Sequence, residues 1–131
     1  MESSSAINYQ IENSPEAACL IVNLQPLQKV FVKTSTLTAK DSSLEIAEII
    51  SANSSDMDSN FSIDYNLTIN EIKAPKLPGS LYLFPDILGA IKHCSLNSQA
   101  GIITQIFSFL ACSENIQLRI ISSPIISFFS Y

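Results

Sequence analysis

The ten residues 61–70 constrain the fold of this chain more than any other segment. Their large side chains, Phe61, Ile63, Tyr65, Leu67 and Ile69, alternate without interruption with small or polar ones. Successive residues of a β-strand point to opposite faces of a sheet, so a period of two places every large side chain on one face. A helix would scatter the same side chains around its axis. The pattern therefore predicts a strand with one buried face.

Shorter patterns of the same kind recur along the chain. Apolar or alternating runs occupy residues 19–24, 29–39, 81–84, 90–96, 102–111, 116–120 and 125–131. Sequences rich in Asn, Asp, Ser, Pro and Gly separate these runs and favour turns. We predict an all-β fold, an antiparallel β-sandwich of about 8–10 short strands with at most one short helix, because such spacing is typical of sandwiches.

Two neighbouring segments are less regular. In 44–52, Leu44, Ala47 and Ile50 would share a helix face, whereas Leu44, Ile46 and Glu48 would share a strand face. Both interpretations stay open for this segment. Residues 51–59 are small and polar, which predicts an exposed loop.

The composition predicts one compact domain. The chain has 131 residues, of which 47% are hydrophobic and 15% are charged. Disordered segments have the opposite balance, with low hydrophobicity and high charge. A chain of this length forms one domain in most cases. We expect a flexible N-terminus at residues 1–7 and a single β domain at 8–131, with an apolar face that contacts a partner or a second copy.

The charge distribution argues against nucleic acid as a partner. The formal net charge is −5, and the basic residues are dispersed at Lys29, Lys33, Lys40, Lys73, Lys76, Lys92 and Arg119. Lys29, Lys33 and Lys40 stand among neutral residues. Proteins that bind nucleic acid cluster their cations along the phosphates, and attraction to anionic lipid needs a similar cluster.

The sequence also lacks the marks of targeting or membrane spanning. The first residues include Glu2, Glu12 and Glu16 but no Lys or Arg, unlike a secretory signal or a mitochondrial presequence. The most apolar run, 102–112, is too short to cross about 30 Å of hydrocarbon as a helix. We predict no transmembrane span, and peripheral association with a membrane stays open.

No set of residues forms a recognisable active site or metal site. The three cysteines, Cys19, Cys94 and Cys112, are odd in number and widely spaced, so neither a disulfide framework nor a zinc site fits. A reducing compartment is the simpler interpretation. His93 and Cys94 are neighbours in the predicted strand 90–96 and would point to opposite faces. We predict no enzyme activity and no cofactor; the remaining alternative is a cysteine-dependent enzyme that uses Cys94 or Cys112.

Residues 56–60 begin like a calcium-binding loop. Asp56, Asp58 and Asn60 place oxygens at alternate positions. However, Phe61 stands where the sharp turn needs glycine, and Leu67 stands where a bidentate glutamate belongs. We interpret this segment as a solvated loop tip.

Aromatic residues are concentrated in the C-terminal third and form the candidate interface. The five residues are Phe107, Phe109, Phe128, Phe129 and Tyr131. Phe107 and Phe109 would share one face of the predicted strand 102–111, which favours packing in the core. The segment 123–131 has little polar character on either face, so its strand is either central in a sheet or covered by another subunit. Core and interface interpretations both stay open.

Several of these segments, taken in order, resemble a known family. Residues 79–96 (GSLYLFPDILGAIKHCSL) contain a Gly, an apolar strand ending in Pro, a turn with Gly and an alternating strand. Residues 106–118 (IFSFLACSENIQL) contain a Phe-Leu-Ala strand, a polar turn and an aliphatic strand. With the upstream runs at 18–24, 29–39 and 44–46, they resemble the altered-inheritance-of-mitochondria protein 24 family over roughly residues 8–120.

The resemblance implies both a fold and a role. It implies the β-sandwich of the tryptophan RNA-binding attenuator type, self-association, no catalytic residues and, as in fungi, a mitochondrial role in inner-membrane organisation. Family members have more glycine in their turns and continue into further strands, so the chain is expected to be a shortened member or a fragment. Our leading hypothesis is a non-enzymatic structural or assembly protein of mitochondria that contacts protein partners or itself. The alternative is a monomeric partner- or ligand-binding β-domain of the adaptor type in the cytosol.

Overall fold

The computed structural model describes residues 6–53, 66–96, 101–122 and 125–130. Within these ranges the chain forms eleven strands: β1 (Asn8–Glu12), β2 (Cys19–Leu24), β3 (Lys29–Lys33), β4 (Leu37–Lys40), β5 (Glu45–Asn53), β6 (Asn66–Lys73), β7 (Gly79–Leu83), β8 (Ile102–Gln105), β9 (Ala111–Ser113), β10 (Ile116–Ser122) and β11 (Ile125–Ser130). The described helical structure consists of short 3₁₀ turns at Thr34–Thr36 and Ile106–Ser108. The predicted all-β fold is confirmed, with slightly more strands than expected.

The strands form three antiparallel sheets. The first sheet has the order β1-β2-β7-β4, the middle sheet β5-β6-β3-β9 and the third sheet β10-β11-β8. All their pairings are antiparallel. The middle sheet contributes to two cores, one shared with each of the other sheets.

The first core lies between the first and middle sheets. Its buried members are Val22, Leu24, Val30, Val32, Leu44, Ile72, Ala74, Leu81 and Leu83. Alternate residues of β2, β3 and β7 supply most of them, because these positions point to the same face of their sheets. Burying a side chain of this size stabilises the fold by about 1.5–3 kcal/mol.

The second core lies between the middle and third sheets. Its buried members are Leu67, Ile69, Phe109, Ile126 and Phe128. Strand β6 contributes to both cores, because Leu67 and Ile69 point to the second core while Ile72 points to the first. This difference follows from the alternation of side chains along one strand.

The structure describes residues 66–70 of the segment 61–70, and there it confirms the predicted alternation. Leu67 and Ile69 are both fully buried on one face of β6. Residues 61–65 lie outside the described residues. The runs at 19–24, 81–84, 116–120 and 125–131 are also confirmed as β2, β7, β10 and β11, with small differences at their ends.

Two long predicted strands are each interrupted by a 3₁₀ turn. Residues 29–39 divide at Thr34–Thr36 into β3, in the middle sheet, and β4, in the first sheet. Residues 102–111 divide at Ile106–Ser108 into β8, in the third sheet, and β9, in the middle sheet. Both predictions of a continuous strand are wrong, because each turn moves the chain between sheets.

The predicted strand at 90–96 is wrong, since residues 84–96 contain no strand. For segment 44–52, the strand interpretation is correct and the helix interpretation is wrong, because the segment forms β5. The predicted loop at 51–59 is wrong at 51–53, which belong to β5, and its remainder lies outside the described residues. Strand β1 was not predicted. Of the predicted N-terminal segment 1–7, residues 1–5 lie outside the description, and Ile7 packs against the first core.

Candidate interaction surfaces

Two of the five candidate aromatic residues belong to the second core. Phe109 and Phe128 are 6% and 5% exposed, and their ring centroids lie 4.9 Å apart with the planes tilted by 38°. Offset or tilted aromatic pairs of this kind add to the stability gained by burial. These rings hold the third sheet against the middle sheet and are not available to a partner.

Phe107 differs from its neighbour, with 44% of its surface exposed. The prediction that Phe107 and Phe109 share one strand face is wrong, because the 3₁₀ turn at Ile106–Ser108 rotates Phe107 away from the core. Phe129 pairs through its backbone with Gln117, and its side chain is outside the description. Tyr131 lies outside the described residues.

Phe107 lies in the turn that directly follows β8, which is an edge strand of the third sheet among the described residues. Strand β8 pairs with β11 through a regular register and is at the end of the strand order. Its sequence, IITQ, contains no charge and no proline, and Ile103 is 65% exposed. An edge strand with free backbone groups and no charged residue is open to pairing with another strand.

The other edge strands of the described sheets have features that discourage pairing with another strand. Strand β1 ends at Glu12, β4 ends at Lys40, β5 contains Glu45 and Glu48, β10 contains Arg119, and β9 has only three residues. Strands β5 and β10 also have irregular registers. Charged residues, bulges and short length all limit edge-to-edge association. Strand β8 is short as well, but its edge is neutral and carries an exposed isoleucine.

A second surface is formed by the irregular segment 84–96 after β7. Three contacts fix its course over the first sheet. The Phe84 N–H donates to the Thr36 carbonyl at 2.9 Å, and the Gly89 carbonyl accepts from the Ala18 N–H at 3.0 Å. His93 then packs against Tyr9 of β1, with ring centroids 5.1 Å apart. Segments of this length without regular structure are uncommon in compact domains and often carry function.

An ion pair provides a fourth anchor for the segment. Lys33 Nζ lies 2.5 Å from Asp86 Oδ2, and the lysine side chain is only 4% exposed. The Ser35 hydroxyl donates to the same carboxylate oxygen at 3.0 Å. Charge-assisted hydrogen bonds of this kind are about twice as strong as neutral ones. Asp86 is thereby tied to the end of β3 and to the 3₁₀ turn that follows it.

The residues directly after Asp86 are exposed. Ile87 and Leu88 are 72% and 66% accessible, although Gly89 is again held by its hydrogen bond to Ala18. We predicted only a Gly-containing turn here and did not identify these two residues as a candidate site. The available signal was a pair of aliphatic residues inside a turn, where polar residues are the norm.

A comparison with models of protein families shows which family this chain belongs to. The family model described as mitochondrial biogenesis AIM24 matches residues 9–130. The chain belongs to the AIM24 family. The resemblance seen in the sequence is therefore confirmed, and membership gives the chain a role related to mitochondrial biogenesis. A comparison with curated proteins gives no match.

Both exposed surfaces lie within the part of the chain that matches the AIM24 family. Strand β8 and the segment 84–96 fall inside residues 9–130. The family name points to mitochondria, which agrees with the first of the two locations considered above. No helix in the described part of this AIM24 family member is long and apolar enough to cross a membrane.

The cysteines of this AIM24 family member lie apart from one another in the fold and are all free thiols. Burial raises the pKa of the Cys112 thiol to about 12. Burial also raises the pKa of Cys19, with a smaller contribution from the Glu12 carboxylate and an opposing one from a hydrogen bond to the Leu83 backbone. Cys94 is exposed. A thiol with a raised pKa is protonated at neutral pH, which is the opposite of what a nucleophile needs.

Within the described ranges, no three His, Cys, Asp or Glu side chains converge as metal ligands would. The segment 56–60, interpreted above as a loop tip, lies outside those ranges. A partly open depression borders β5 and is lined by Leu44, Glu45, Ile46, Ala47, Glu71 and Lys73. Ligand sites are usually enclosed clefts that bury most of the ligand, so we do not assign a ligand to this depression.

Proposed function

We propose that this AIM24 family member is a non-catalytic assembly protein that supports the organisation of the mitochondrial inner membrane. In this proposal the chain associates with a second copy of itself through the edge of the third sheet. The observation that carries it is the neutral strand β8, whose residue Ile103 is 65% exposed. Family membership supports the mitochondrial part.

A second copy suits this edge for electrostatic reasons. The formal net charge of −5 makes two copies repel each other, so an uncharged contact costs the least. Antiparallel pairing of β8 with its own copy would join two three-stranded sheets into one continuous sheet. The same pairing at β5 would bring Glu45 and Glu48 near their copies, and opposed like charges destabilise a sheet.

Phe107 would add apolar area to the same contact. It follows β8 directly and is 44% exposed. An aromatic residue beside an exposed aliphatic one is typical of the central part of a protein interface. Ile103 and Phe107 therefore form the apolar part of the proposed contact, and the backbone groups of β8 that face away from β11 form its polar part.

Light scattering of the purified chain at micromolar concentration tests the assembly. We expect a dimer or larger species for the native chain and a monomer for Ile103→Lys, because a lysine at the edge opposes its copy. Leu77→Lys is the matched control, since Leu77 is 63% exposed but lies outside the third sheet. This variant should assemble as the native chain does.

A native chain that stays monomeric at these concentrations would contradict self-association. If the Ile103→Lys variant still assembles, the contact between copies does not lie at β8. The mitochondrial part has its own test, in which the tagged full-length protein is fractionated and inner-membrane shape is imaged in cells that lack it. A cytosolic protein whose loss leaves the membranes unchanged would contradict that part.

The alternative function is a monomeric adaptor β-domain in the cytosol. Exposure of Ile87 and Leu88 favours it, because this pair lies on a loop and not on a strand edge. A monomer in light scattering together with a cytosolic location would support this alternative over the first proposal.

A further inference from the structure

Ile87 and Leu88 expose two large aliphatic side chains next to each other. They are 72% and 66% accessible, among the highest values for apolar residues in the described part of the chain. Scattered surface leucines need no explanation, but a contiguous exposed pair is a feature of contact sites. The two residues are joined by one peptide bond, so a single partner segment can reach both.

The pair is held in place on both sides. Before it, Asp86 is bound to the buried Lys33 at 2.5 Å and to Ser35 at 3.0 Å. After it, the Gly89 carbonyl accepts from the Ala18 N–H at 3.0 Å. A loop fixed at both ends loses little conformational entropy when it binds, which favours affinity.

Exposed carboxylates occur in the β1–β2 connection, which contacts the segment that carries the pair. The hydrogen bond from Ala18 brings the loop between β1 and β2 beside Gly89, and Glu12 and Glu16 of this region are exposed. The ion pairs found among the described residues join Lys29 to Glu71 and Glu114 and Lys33 to Asp86, and involve neither carboxylate. Lys33 already balances Asp86. Lys92, on the same segment, is the nearest exposed cation in sequence.

We propose that Ile87 and Leu88, together with the exposed Glu12 and Glu16 of the adjoining β1–β2 connection, form a docking surface for a cationic amphipathic segment of a partner protein. The apolar side of such a segment covers the aliphatic pair, and its cations meet the two carboxylates. Amphipathic segments that bind apolar surfaces in this way are a recurrent mode of recognition. An anionic membrane fits the surface less well, because the carboxylates repel it. The inference goes beyond the assembly role and does not depend on it.

Fluorescence anisotropy with two synthetic peptides tests the proposal. One is a helical peptide of leucine and lysine, and the other has the same pattern with glutamate in place of lysine. We expect the lysine peptide to bind the full chain and the glutamate peptide to bind at least about tenfold more weakly, because like charges oppose it. Binding by Ile103→Lys should equal that of the native chain, which separates this test from the assembly test.

Substitution of the aliphatic pair provides the decisive comparison. Ile87→Ser with Leu88→Ser should weaken binding of the lysine peptide by about tenfold or more, because the apolar contact is lost. Leu27→Ser with Leu77→Ser is the matched control, with 69% and 63% exposure on the loops at the other end of the β2–β7 pair. The control should bind as the native chain does.

Charge variants test the electrostatic part. Glu12→Gln with Glu16→Gln should weaken binding severalfold and reduce its dependence on salt. Lys92→Gln should strengthen binding slightly, because it removes a cation that repels the peptide. Equal binding of both peptides, or equal loss in the serine pair and its control, would overturn the proposal.

A membrane partner has a distinct signature. Vesicles of phosphatidylcholine and phosphatidylserine are the probe, and sedimentation measures the bound fraction. The proposal expects no binding that depends on Ile87 and Leu88. Binding to vesicles that the serine pair abolishes, together with no binding of the lysine peptide, would replace the protein partner with a lipid surface.

Discussion

Lys33 Nζ lies 2.5 Å from Asp86 Oδ2, and the lysine side chain is 4% exposed while that of the aspartate is 28% exposed. The two residues are far apart in the sequence and belong to different parts of the fold. Lys33 ends β3 in the middle sheet, whereas Asp86 follows β7 of the first sheet. The pair therefore connects two layers and positions the loop that carries Ile87 and Leu88.

Removal of Asp86 should cost more stability than removal of Lys33. Asp86→Asn leaves the buried ammonium without this counter-ion, and breaking a buried pair in this way costs about 3 kcal/mol. Lys33→Met removes the buried charge, and water can still reach the partly exposed Asp86, so we expect about 1 kcal/mol. Urea unfolding of the three proteins measures the difference.

The pair between Lys29 and Glu71 is the control for this prediction, because its lysine is partly exposed and also lies 3.8 Å from Glu114. Its atoms lie 3.6 Å apart, and its side chains are 34% and 25% exposed. Glu71→Gln should change the free energy of unfolding by less than about 1 kcal/mol. If Asp86→Asn costs no more than Glu71→Gln, then burial does not strengthen the Lys33–Asp86 interaction.

Gly79 should not tolerate a larger side chain. A Cβ atom at this position would lie 2.6 Å from Leu44 Cδ2 and 2.9 Å from its Cγ, and Leu44 is itself buried. Gly79→Ala should therefore destabilise the chain by about 1–3 kcal/mol, the usual cost of overpacking. The melting temperature reports this loss, and the added substitution Leu44→Ala should not restore the native value, because it leaves a cavity elsewhere.

Gly89 offers a matched control for the same substitution. A Cβ atom there would meet nothing within 4 Å, and its carbonyl keeps the hydrogen bond from Ala18. Gly89→Ala should leave the melting temperature unchanged or raise it slightly, since alanine has less freedom in the unfolded chain. Equal losses at the two glycines would contradict the close approach of Leu44 to Gly79.

Phe107 and Phe109 should respond in opposite ways to truncation. Phe109→Ala removes a ring that is 6% exposed and packs on Phe128, so we expect a loss of about 3–5 kcal/mol. Phe107→Ala removes a ring that is 44% exposed and should cost within about 0.5 kcal/mol for the monomer. Chemical denaturation of Ile103→Lys carrying each change avoids any contribution from assembly. Similar losses for both would show that Phe107 is part of the core.

Cys112 should be unreactive and should make stability depend on alkaline pH. Its pKa of about 12 keeps the thiol protonated at neutral pH, so iodoacetamide should modify Cys94 long before Cys112. In the unfolded chain the thiol ionises near its ordinary pKa. The folded chain therefore binds more protons, and its stability falls as the pH rises between about 9 and 12.

The Cys112→Ala variant should lose less stability than the native chain as the pH rises. This comparison separates the effect of Cys112 from the titration of lysine and tyrosine residues. The free energy of unfolding at a series of pH values measures the effect. A Cys112 that reacts faster than a model thiol at neutral pH would contradict the prediction. It would also revive the cysteine-dependent enzyme as an interpretation.

The sequence was a sound guide wherever the alternation belongs to one uninterrupted strand. Leu67 and Ile69 are buried on the same face of β6, as their alternation predicts. The runs 19–24 and 125–131 are likewise strands in the structure. In each case the pattern reflects a local property, since neighbouring side chains on a strand must point in opposite directions.

The candidate surfaces were harder to predict than the strands. The five aromatic residues proposed from the sequence include two that fill the second core and one, Phe107, that is exposed. The residues Ile103, Ile87 and Leu88 were not singled out, because hydrophobicity alone does not say which side of an element faces solvent. Exposure depends on which layer covers which face, and the eleven short strands of the described ranges could pack in several arrangements.

By itself the sequence determined the all-β class, most of the strands and the family, because these follow from side-chain alternation and from the order of its segments. Only the tertiary structure decided that Lys33, which stands among neutral residues, is buried against Asp86. The tertiary structure also decided that residues 90–96 form no strand and that residues 29–39 are shared between two sheets. A strand forms only where another strand supplies hydrogen bonds, and a buried lysine charge needs a group that compensates its lost hydration. In each case, the second strand or the compensating group comes from a distant part of the chain.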